Sequence, residues 1–443
     1  MPNLSALLSR YGMVLVLLAL CLFYAFMTMA EQNPRGADAA AAIADDLREA
    51  AGEGAVVLVT KANAEHQQFA DALGAMLRDA GVPVTGVVRG EPTEIREGLE
   101  ALAATGVAVA AIGTPQDYAT IVGNITSRIP PLAGAKITAP RSYRWPTFLL
   151  ANNLRNVANQ IVVIAILAVG MTMVIITAGI DLSVGSLIAL SAVVAAWIIR
   201  AMGGADASLG VMLFASVSAI LMCGMVGFVS GMTITQFKVP PFITTLAVML
   251  VASGFAYIIS RGESIYEVPD SYVWLGRGAD LFSIPNAVIL MAVIYLLAHI
   301  LMTRTTLGRY IYAVGGNPEA ARLSGIRVNS VLLFVYTVGG MLAGLGGIVQ
   351  ASQLKSGAPT YGLLYELYVI AAVVVGGTSL AGGEGRIMGT LVGALIIAVI
   401  QNGMNLTGVE SYTQKVVLGM VILVAVLLDM LKKRSWRVKK ATA

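Results

Sequence analysis

The sequence predicts an all-α polytopic membrane protein of about ten transmembrane helices, with a small extracytoplasmic α/β insert between the first and second spans. Three observations carry the prediction. Of 443 residues, 57% are hydrophobic and only 12% charged. Mean hydropathy is +0.79, and the charges are unevenly spread along the chain. Soluble domains carry about 25% charged residues. Strand barrels alternate polar and apolar positions, so a chain this apolar hides its backbone polar groups in lipid as helices.

The charge distribution marks two objects. Residues 31–144 hold 14 of the 25 acidic and 10 of the 29 basic side chains, a net charge of −4, and the rest of the chain is basic. The boundaries predicted are residues 1–30 for the first helix, 31–143 for the insert, 144–431 for the membrane body and 432–443 for a basic tail. Cys21 and Cys223 lie in apolar runs and read as small buried hydrophobes, and His66 and His299 stand apart in sequence. Nothing in that pattern predicts a disulfide frame, a metal site or a catalytic triad.

Runs of about 18 to 25 apolar residues fall near residues 12–30, 156–178, 183–201, 210–232, 241–260, 285–303, 329–351, 365–379, 388–405 and 411–431. Lys and Arg in short loops orient such spans. Loop 304–328 carries Arg304, Arg309, Arg322 and Arg327, and the tail carries Lys432, Lys433, Arg434, Arg437, Lys439 and Lys440. Both are predicted to be cytoplasmic. Ten spans agree in parity, placing both termini inside and the insert on the outer face. Arg261, Arg277, Lys355 and Lys415 fall outside, so the bias is a majority. The first span also admits a signal-peptide reading, with Arg10 ahead of an apolar core from Met13 to Phe26. The insert lies outside on either reading.

Within the insert, strand-like runs at Ala55–Thr60, Val82–Val88 and Val107–Ile112 alternate with helical patterns at Glu65–Ala80, Glu94–Ala104 and Asp117–Ile125. That alternation predicts a parallel sheet with right-handed crossovers. The stretches FADALGAMLRDAGVPV and GLEALAATGVAVAAIG resemble one lobe of the periplasmic sugar-binding proteins. A docking or spacing role and a ligand site both remain open, since fold alone does not establish function.

In loop 304–328, Asn317 is a good helix N-cap, Pro318 suits the first helical position, Glu319 complements the helix start and Gly325 can end it in a left-handed turn. Asn317, Pro318, Glu319, Ala320, Ala321, Arg322, Leu323, Ser324 and Gly325 thus predict a two-turn helix with defined ends. So short a helix needs something to pack against, which is either its own bundle or a cytoplasmic partner.

This loop, with GMTMVIITAGIDLSVGS at 170–186, KVPPFITTLAVML at 238–250 and YELYVIAAVVVGGTSLAGGEGRIMGTLVGALIIAVIQNGMNLTGV at 365–409, resembles the ribose/xylose/galactoside permease family of bacterial ATP-binding-cassette importers. The resemblance covers residues 143–433, about two thirds of the chain, and the first span. It implies an inner-membrane homodimer working with cytoplasmic ATPase subunits, which would carry the ATP and Mg, and with a periplasmic solute-binding protein. It also implies that residues 317–325 form the coupling helix that inserts into the ATPase. Two features depart from the family pattern: the outer insert, and Tyr368 where the family usually has Asp.

Independently, the chain contains no Gly-Lys dipeptide and hence no phosphate-binding loop of the G-x-x-x-x-G-K-[ST] kind. Spans three to six and the tenth are nearly free of ionisable groups, with Asp429 at an inner end, which disfavours ion coupling. Asp181, just before Ser183 and the third span, reads as a helix cap or as a lining of the transport path. Neutral sugars need amides and hydroxyls, and candidates are Asn152, Asn153, Asn156, Asn159, Gln160, Thr244, Thr245, Asn402 and Asn405. Each can equally join helix to helix. The twenty methionines read as gap-filling core.

The function expected is the permease subunit of a sugar importer, with no reaction chemistry, metal, cofactor or nucleic acid on this chain. An ion-coupled secondary transporter, a membrane receptor sensing ligand through the insert, and the same importer carrying branched-chain amino acids or another small polar solute are the alternatives. A tail of about a dozen residues is short for a signalling domain.

Overall fold

A computed structural model describes residues 4–52 and 54–441, and for residues 4–11, 425 and 428–441 it describes the backbone alone. The side chains of Arg10, Asp429 and the basic tail therefore lie outside the described residues. The chain divides into two compact units, Met29–Thr147 and the remainder.

In chain order, α1 (Leu4–Met27) leads into the smaller unit. That unit holds β1 (Met29–Gln32), α2 (Gly36–Ala51), β2 (Ala55–Thr60), α3 (Ala64–Asp79), β3 (Val84–Arg89), α4 (Pro92–Ala104), β4 (Val109–Gly113), α5 (Gln116–Thr126), β5 (Lys136–Thr138) and β6 (Tyr143–Pro146). Strands β3-β2-β4-β5 form a parallel sheet. Alternation along β2 splits its side chains between two cores. Val56 and Leu58 face Ile43 and Leu47 of α2 and Phe69 and Leu73 of α3. Val57 and Val59 face Ile95 and Leu99 of α4 and Tyr118 and Val122 of α5.

The sequence expectation for this unit differs from the structure at its edges. The unit begins two residues earlier and ends four later than 31–143, because β1 pairs antiparallel with β6, Met29 opposite Pro146 and Gln32 opposite Tyr143. This ribbon brings the two ends of the unit together. Helix α2 was not anticipated. Its run of alanines lacks the large apolar residues of an obvious amphipathic pattern, yet Ala39, Ala40, Ile43 and Leu47 share one buried face.

The larger unit continues with α6 (Ala151–Ile176), α7 (Val184–Ala201), α8 (Leu209–Gln236), α9 (Pro241–Ser260), α10 (Trp274–Arg277), α11 (Asn286–Arg304), α12 (Thr306–Gly316), α13 (Pro318–Leu323), α14 (Val328–Leu354), α15 (Tyr365–Val375), α16 (Ile387–Leu406) and α17 (Ser411–Ala441). Among the described residues seven helices are long and apolar enough to cross a membrane: α6, α7, α8, α9, α11, α14 and α16. Apolar segments at Gly12–Met27, Tyr365–Val375 and Ser411–Val424 are shorter. Among the described residues, then, seven of the ten expected stretches carry a helix of full-span length, and the other three carry shorter apolar segments, two of which border residues described by backbone alone. Helix α15, expected over 365–379, stops at Val375 before the Gly376-Gly377 turn.

Helix α6 lies in the middle of this unit, buried on all sides from Ile161 to Ile176. By contrast α8, α9 and α11 leave most of their apolar surface exposed, as helices facing lipid must. Helix α14 packs against α8, α6 and α7 along a row of glycines, because lipid offers no hydrophobic force to hold helices together and close backbone approach replaces it. A Cβ on Gly340 would stand 2.3 Å from the Cys223 carbonyl oxygen, and one on Gly347 would stand 2.5 Å from that of Ile188. Polar groups add specific ties: Ser191 Oγ donates to Gly344 O at 2.7 Å, Tyr295 Oη donates to Ala165 O at 3.0 Å, and the Thr172 and Thr390 hydroxyls meet at 2.7 Å.

Gly340→Ala forces a methyl into the α8 backbone and is expected to destabilise this unit by about 1–3 kcal/mol, as overpacking does. A lower melting temperature of the detergent-solubilised variant checks it, and an unchanged one contradicts the close crossing of α8 and α14.

Candidate coupling and translocation site

Helix α13 has the caps that the sequence predicts. Asn317 Oδ1 accepts from the Glu319 and Ala320 amides at 3.1 and 3.0 Å. Gly325 takes φ +84°, and the Ile326 amide returns to Ala321 O at 3.0 Å, closing the last turn in the left-handed manner that glycine permits. Arg322 Nη1 donates to Glu319 Oε1 at 2.9 Å across one turn. Only Ala321 turns inward. Leu323 is 89% exposed, an aliphatic side chain presented to solvent at the end of a helix rich in polar groups.

Immediately before it, Gly315 and Gly316 end α12 in a crowded junction. A Cβ on Gly315 would stand 1.6 Å from Ile176 O at the end of α6 and 2.8 Å from the Gly383 amide. A Cβ on Gly382, which has φ +83°, would meet Gly315 O and Ala178. The Gly383 amide donates to Ile176 O at 2.8 Å, and Tyr312 Oη donates to Gly385 O at 2.8 Å. Burial pushes the Tyr312 phenol above its ordinary value against the opposing pull of Arg386, so it remains a neutral donor. Three backbone segments therefore touch without intervening side chains: the end of α6, the α12–α13 corner and the glycine loop between α15 and α16.

From that junction the chain leaves α6 through a turn, residues 177–183, with Ala178 at φ +62°. Asp181 is buried, and its Oδ1 accepts from the Ser183 amide at 2.9 Å and from Ser183 Oγ at 2.6 Å. The carboxylate thus closes the turn that starts α7. Thr245 Oγ1, in the first turn of α9, donates to Pro241 O at 3.0 Å and lies 3.3 Å from Ile180 O of the same turn. The neighbouring Thr244 Oγ1 is buried with no partner, as is Tyr336 Oη, which a Cβ on Gly179 would meet at 2.4 Å. Asp181, Ser183 and Thr245 are therefore gathered at one turn, with Thr244 beside Thr245 in α9.

One polar residue of this region was passed over as a site in the sequence. A Cβ on Gly185 would stand 2.3 Å from Glu366 Oε2 and 2.6 Å from Gly362 O. The half-buried Glu366 carboxylate lies in the first turn of α15 and against the first turn of α7, where two helix dipoles favour negative charge. The signal was present in the sequence, as Glu366 is the one acidic residue in the 365–375 run.

The sequence profile described as "Branched-chain amino acid transport system / permease component" matches residues 153–426. The chain belongs to that permease family. It is 47% identical over 288 residues to the ribose import permease protein RbsC of Escherichia coli K12, covering 64% of this chain and 87% of the relative. It is 44% identical over 292 residues to the ribose import permease protein RbsC of Bacillus subtilis 168, covering 66% and 88%. It is 35% identical over 305 residues to the galactose/methyl galactoside import permease protein MglC of Escherichia coli K12, covering 66% and 90%. No solved structure matches it.

Asn153, Asn159, Asn402 and Asn405 of this permease tie its helices to one another. Asn153 and Asn402 exchange two hydrogen bonds, at 3.0 and 2.9 Å, between α6 and α16. Asn153 also donates to Phe148 O at 2.8 Å. Asn405 is exposed and accepts from Gln414 at 2.8 Å. Asn159 donates to Gly276 O at 3.1 Å and its carbonyl accepts from Gln353 at 3.0 Å. Asn156 is exposed at the start of α6. None of these amides lies among the turn residues above.

Asn317→Ala removes both cap bonds of α13, a loss of about 1 kcal/mol to so short a helix. Faster amide hydrogen exchange across residues 318–323 than in the unaltered permease is expected. Unaltered exchange would show that the cap does not hold this helix.

Proposed function

We propose that this permease is the membrane subunit of an ATP-binding-cassette importer that moves a monosaccharide of pentose or hexose type across the bacterial inner membrane. The observation that carries the cargo class is the 47% identity to a ribose import permease over 87% of that relative, with allose and galactoside permeases also among its relatives. In this reading the chain breaks no bond in its cargo. ATP and Mg belong to a separate cytoplasmic ATPase, a second copy of the permease completes the pathway, and a periplasmic solute-binding protein delivers the sugar.

In this reading both termini are cytoplasmic, loop 304–328 lies beside the ATPase and the α/β unit lies outside, an orientation that the Lys and Arg of loop 304–328 support. Helix α13 is the coupling helix, with residues 317–325 as the docking element and Leu323 as its apolar anchor. Its thrust reaches the bundle through Gly315, which touches the end of α6 and the glycine loop. The turn 177–183 follows directly from there, so a displaced α13 repositions Asp181, Ser183, Thr244 and Thr245 along the path. Alternating access then follows from two packings of one bundle, selected by differential contacts with the ATPase. Against ion coupling, Asp181 is the one fully buried carboxylate among the described residues of the membrane unit, and its hydrogen bonds are local.

Uptake of labelled D-ribose into vesicles holding permease, ATPase and binding protein, with ion gradients collapsed, is expected to require ATP. Uptake surviving without ATP contradicts the reading. The Glu319–Arg322 pair is exposed and contributes little to folding, so Glu319→Ala with Arg322→Ala tests docking with the helices intact. ATP hydrolysis should continue while uptake falls at least tenfold, and normal uptake per ATP would refute the coupling role.

A further inference from the structure

The α/β unit carries a crevice that the transport reading leaves unused. In a parallel sheet, ligands bind beyond the carboxyl ends of the strands where successive connections leave to opposite faces. Here the chain passes from β2 outward to β3, then returns to the far side of β2 as β4, giving the order β3-β2-β4-β5. The switch point is therefore between β2 and β4. The connection from β2 enters α3 on one face of the sheet, and that from β4 enters α5 on the other.

A cavity of about 240 Å³ opens at that place, lined by the first turns of α3 and α5 and by the segment that follows β1. Its walls are polar: Gln32, Arg35, Asn63, Glu65, His66 and Asp117 all contribute. The cavity is smaller than the roughly 300 Å³ at which drug-sized sites begin, a size for one small ring. The walls are held in place by their own bonds. Asn63 Oδ1 accepts from the His66 amide at 2.8 Å. The Lys61 amide donates to His66 Nδ1 at 3.1 Å, which leaves the Nε2 proton to face Asp117 Oδ2 at 3.4 Å. At the carboxyl ends of the same strands, Thr60 at the end of β2, Thr114 after β4 and Thr138 at the end of β5 are buried hydroxyls without hydrogen-bond partners, an uncommon concentration of unsatisfied groups.

The charge pattern selects among ligands. A cation would need free carboxylates, but Glu65 faces Arg35 at 3.6 Å and Asp117 faces His66. Among the described residues no group of three or more metal-ligating side chains occurs. An anion would meet Glu31, Glu65 and Asp117 on the same walls. A neutral polyol meets neither obstacle. Its hydroxyls donate to lone pairs left on the Glu65 and Asp117 carboxylates and accept from Arg35 and the Asn63 amide nitrogen.

We propose that the α/β unit binds one neutral monosaccharide in the crevice between the ends of β2 and β4, apart from the path through the membrane helices. The identification with a sugar rests on the cargo reading above.

Equilibrium binding of labelled D-ribose, D-allose and D-galactose to the full-length permease in lipid nanodiscs, without ATPase or binding protein, tests it. At least one of the three is expected to bind saturably at one molecule per chain. Glu65→Gln with Asp117→Asn should weaken that binding at least tenfold, while Asp79→Asn, on the far end of α3, should leave it unchanged. Circular dichroism melting of both variants separates lost binding from lost folding, and Asn63→Ala provides a second variant if the double substitution unfolds. No binding of any of the three sugars, or binding indifferent to the wall substitutions, overturns the proposal. The ATP requirement of uptake is measured separately, so failure of the crevice site leaves the importer reading standing, and failure of the importer reading is seen without it.

Discussion

The membrane unit depends on backbone meeting backbone where no side chain can fit. At Gly315 the constraint is tightest, since even a methyl group would overlap the Ile176 carbonyl. That contact ties a surface helix of six residues to the most buried helix of the bundle and to the loop between α15 and α16. Close glycine contacts also let α14 lie against α6, α7 and α8. Such contacts gain dispersion energy but do not stretch. In the proposed alternating-access cycle such interfaces would change between discrete packings rather than deform continuously.

The polar groups of the bundle divide by place. Amides at the ends of α6 and α16 are satisfied by one another, which fixes helix against helix. Hydroxyls and carboxylates gather instead where helices begin inside the unit, at the 177–183 turn and at the paired starts of α7 and α15. Helix starts supply unpaired amides and positive dipole ends, so they tolerate Asp181 and Glu366 where a continuous helix would not. Interrupted helices thus give a nearly uncharged bundle its few polar positions.

Much of this was legible in the sequence. Hydropathy located the seven helices of full-span length among the described residues, and the residue types at Asn317, Pro318 and Gly325 marked a capped helix to within a residue, because caps are local chemistry. Strand and helix order in the α/β unit was equally local. What escaped was non-local or unpatterned. The β1–β6 ribbon pairs residues more than a hundred positions apart. Helix α2 hides its buried face among alanines, and α15 ends at Val375, four residues short of its expected end, where the Gly376-Gly377 turn begins. Glu366 was visible as a lone acid but not as a neighbour of Gly185, and the partnership of Asn153 with Asn402 could not be told from a shared place on a pathway. Single amides read the same in either role until their partners are known.

The account stands or falls on Gly315 as the rigid link between the proposed coupling helix and the bundle. Its most direct test is uptake per ATP hydrolysed by a complex carrying Gly315→Ala, with assembly of permease and ATPase verified on the same sample. The account predicts an assembled complex that still hydrolyses ATP while sugar uptake falls at least tenfold. Unchanged uptake per ATP in that complex would contradict it.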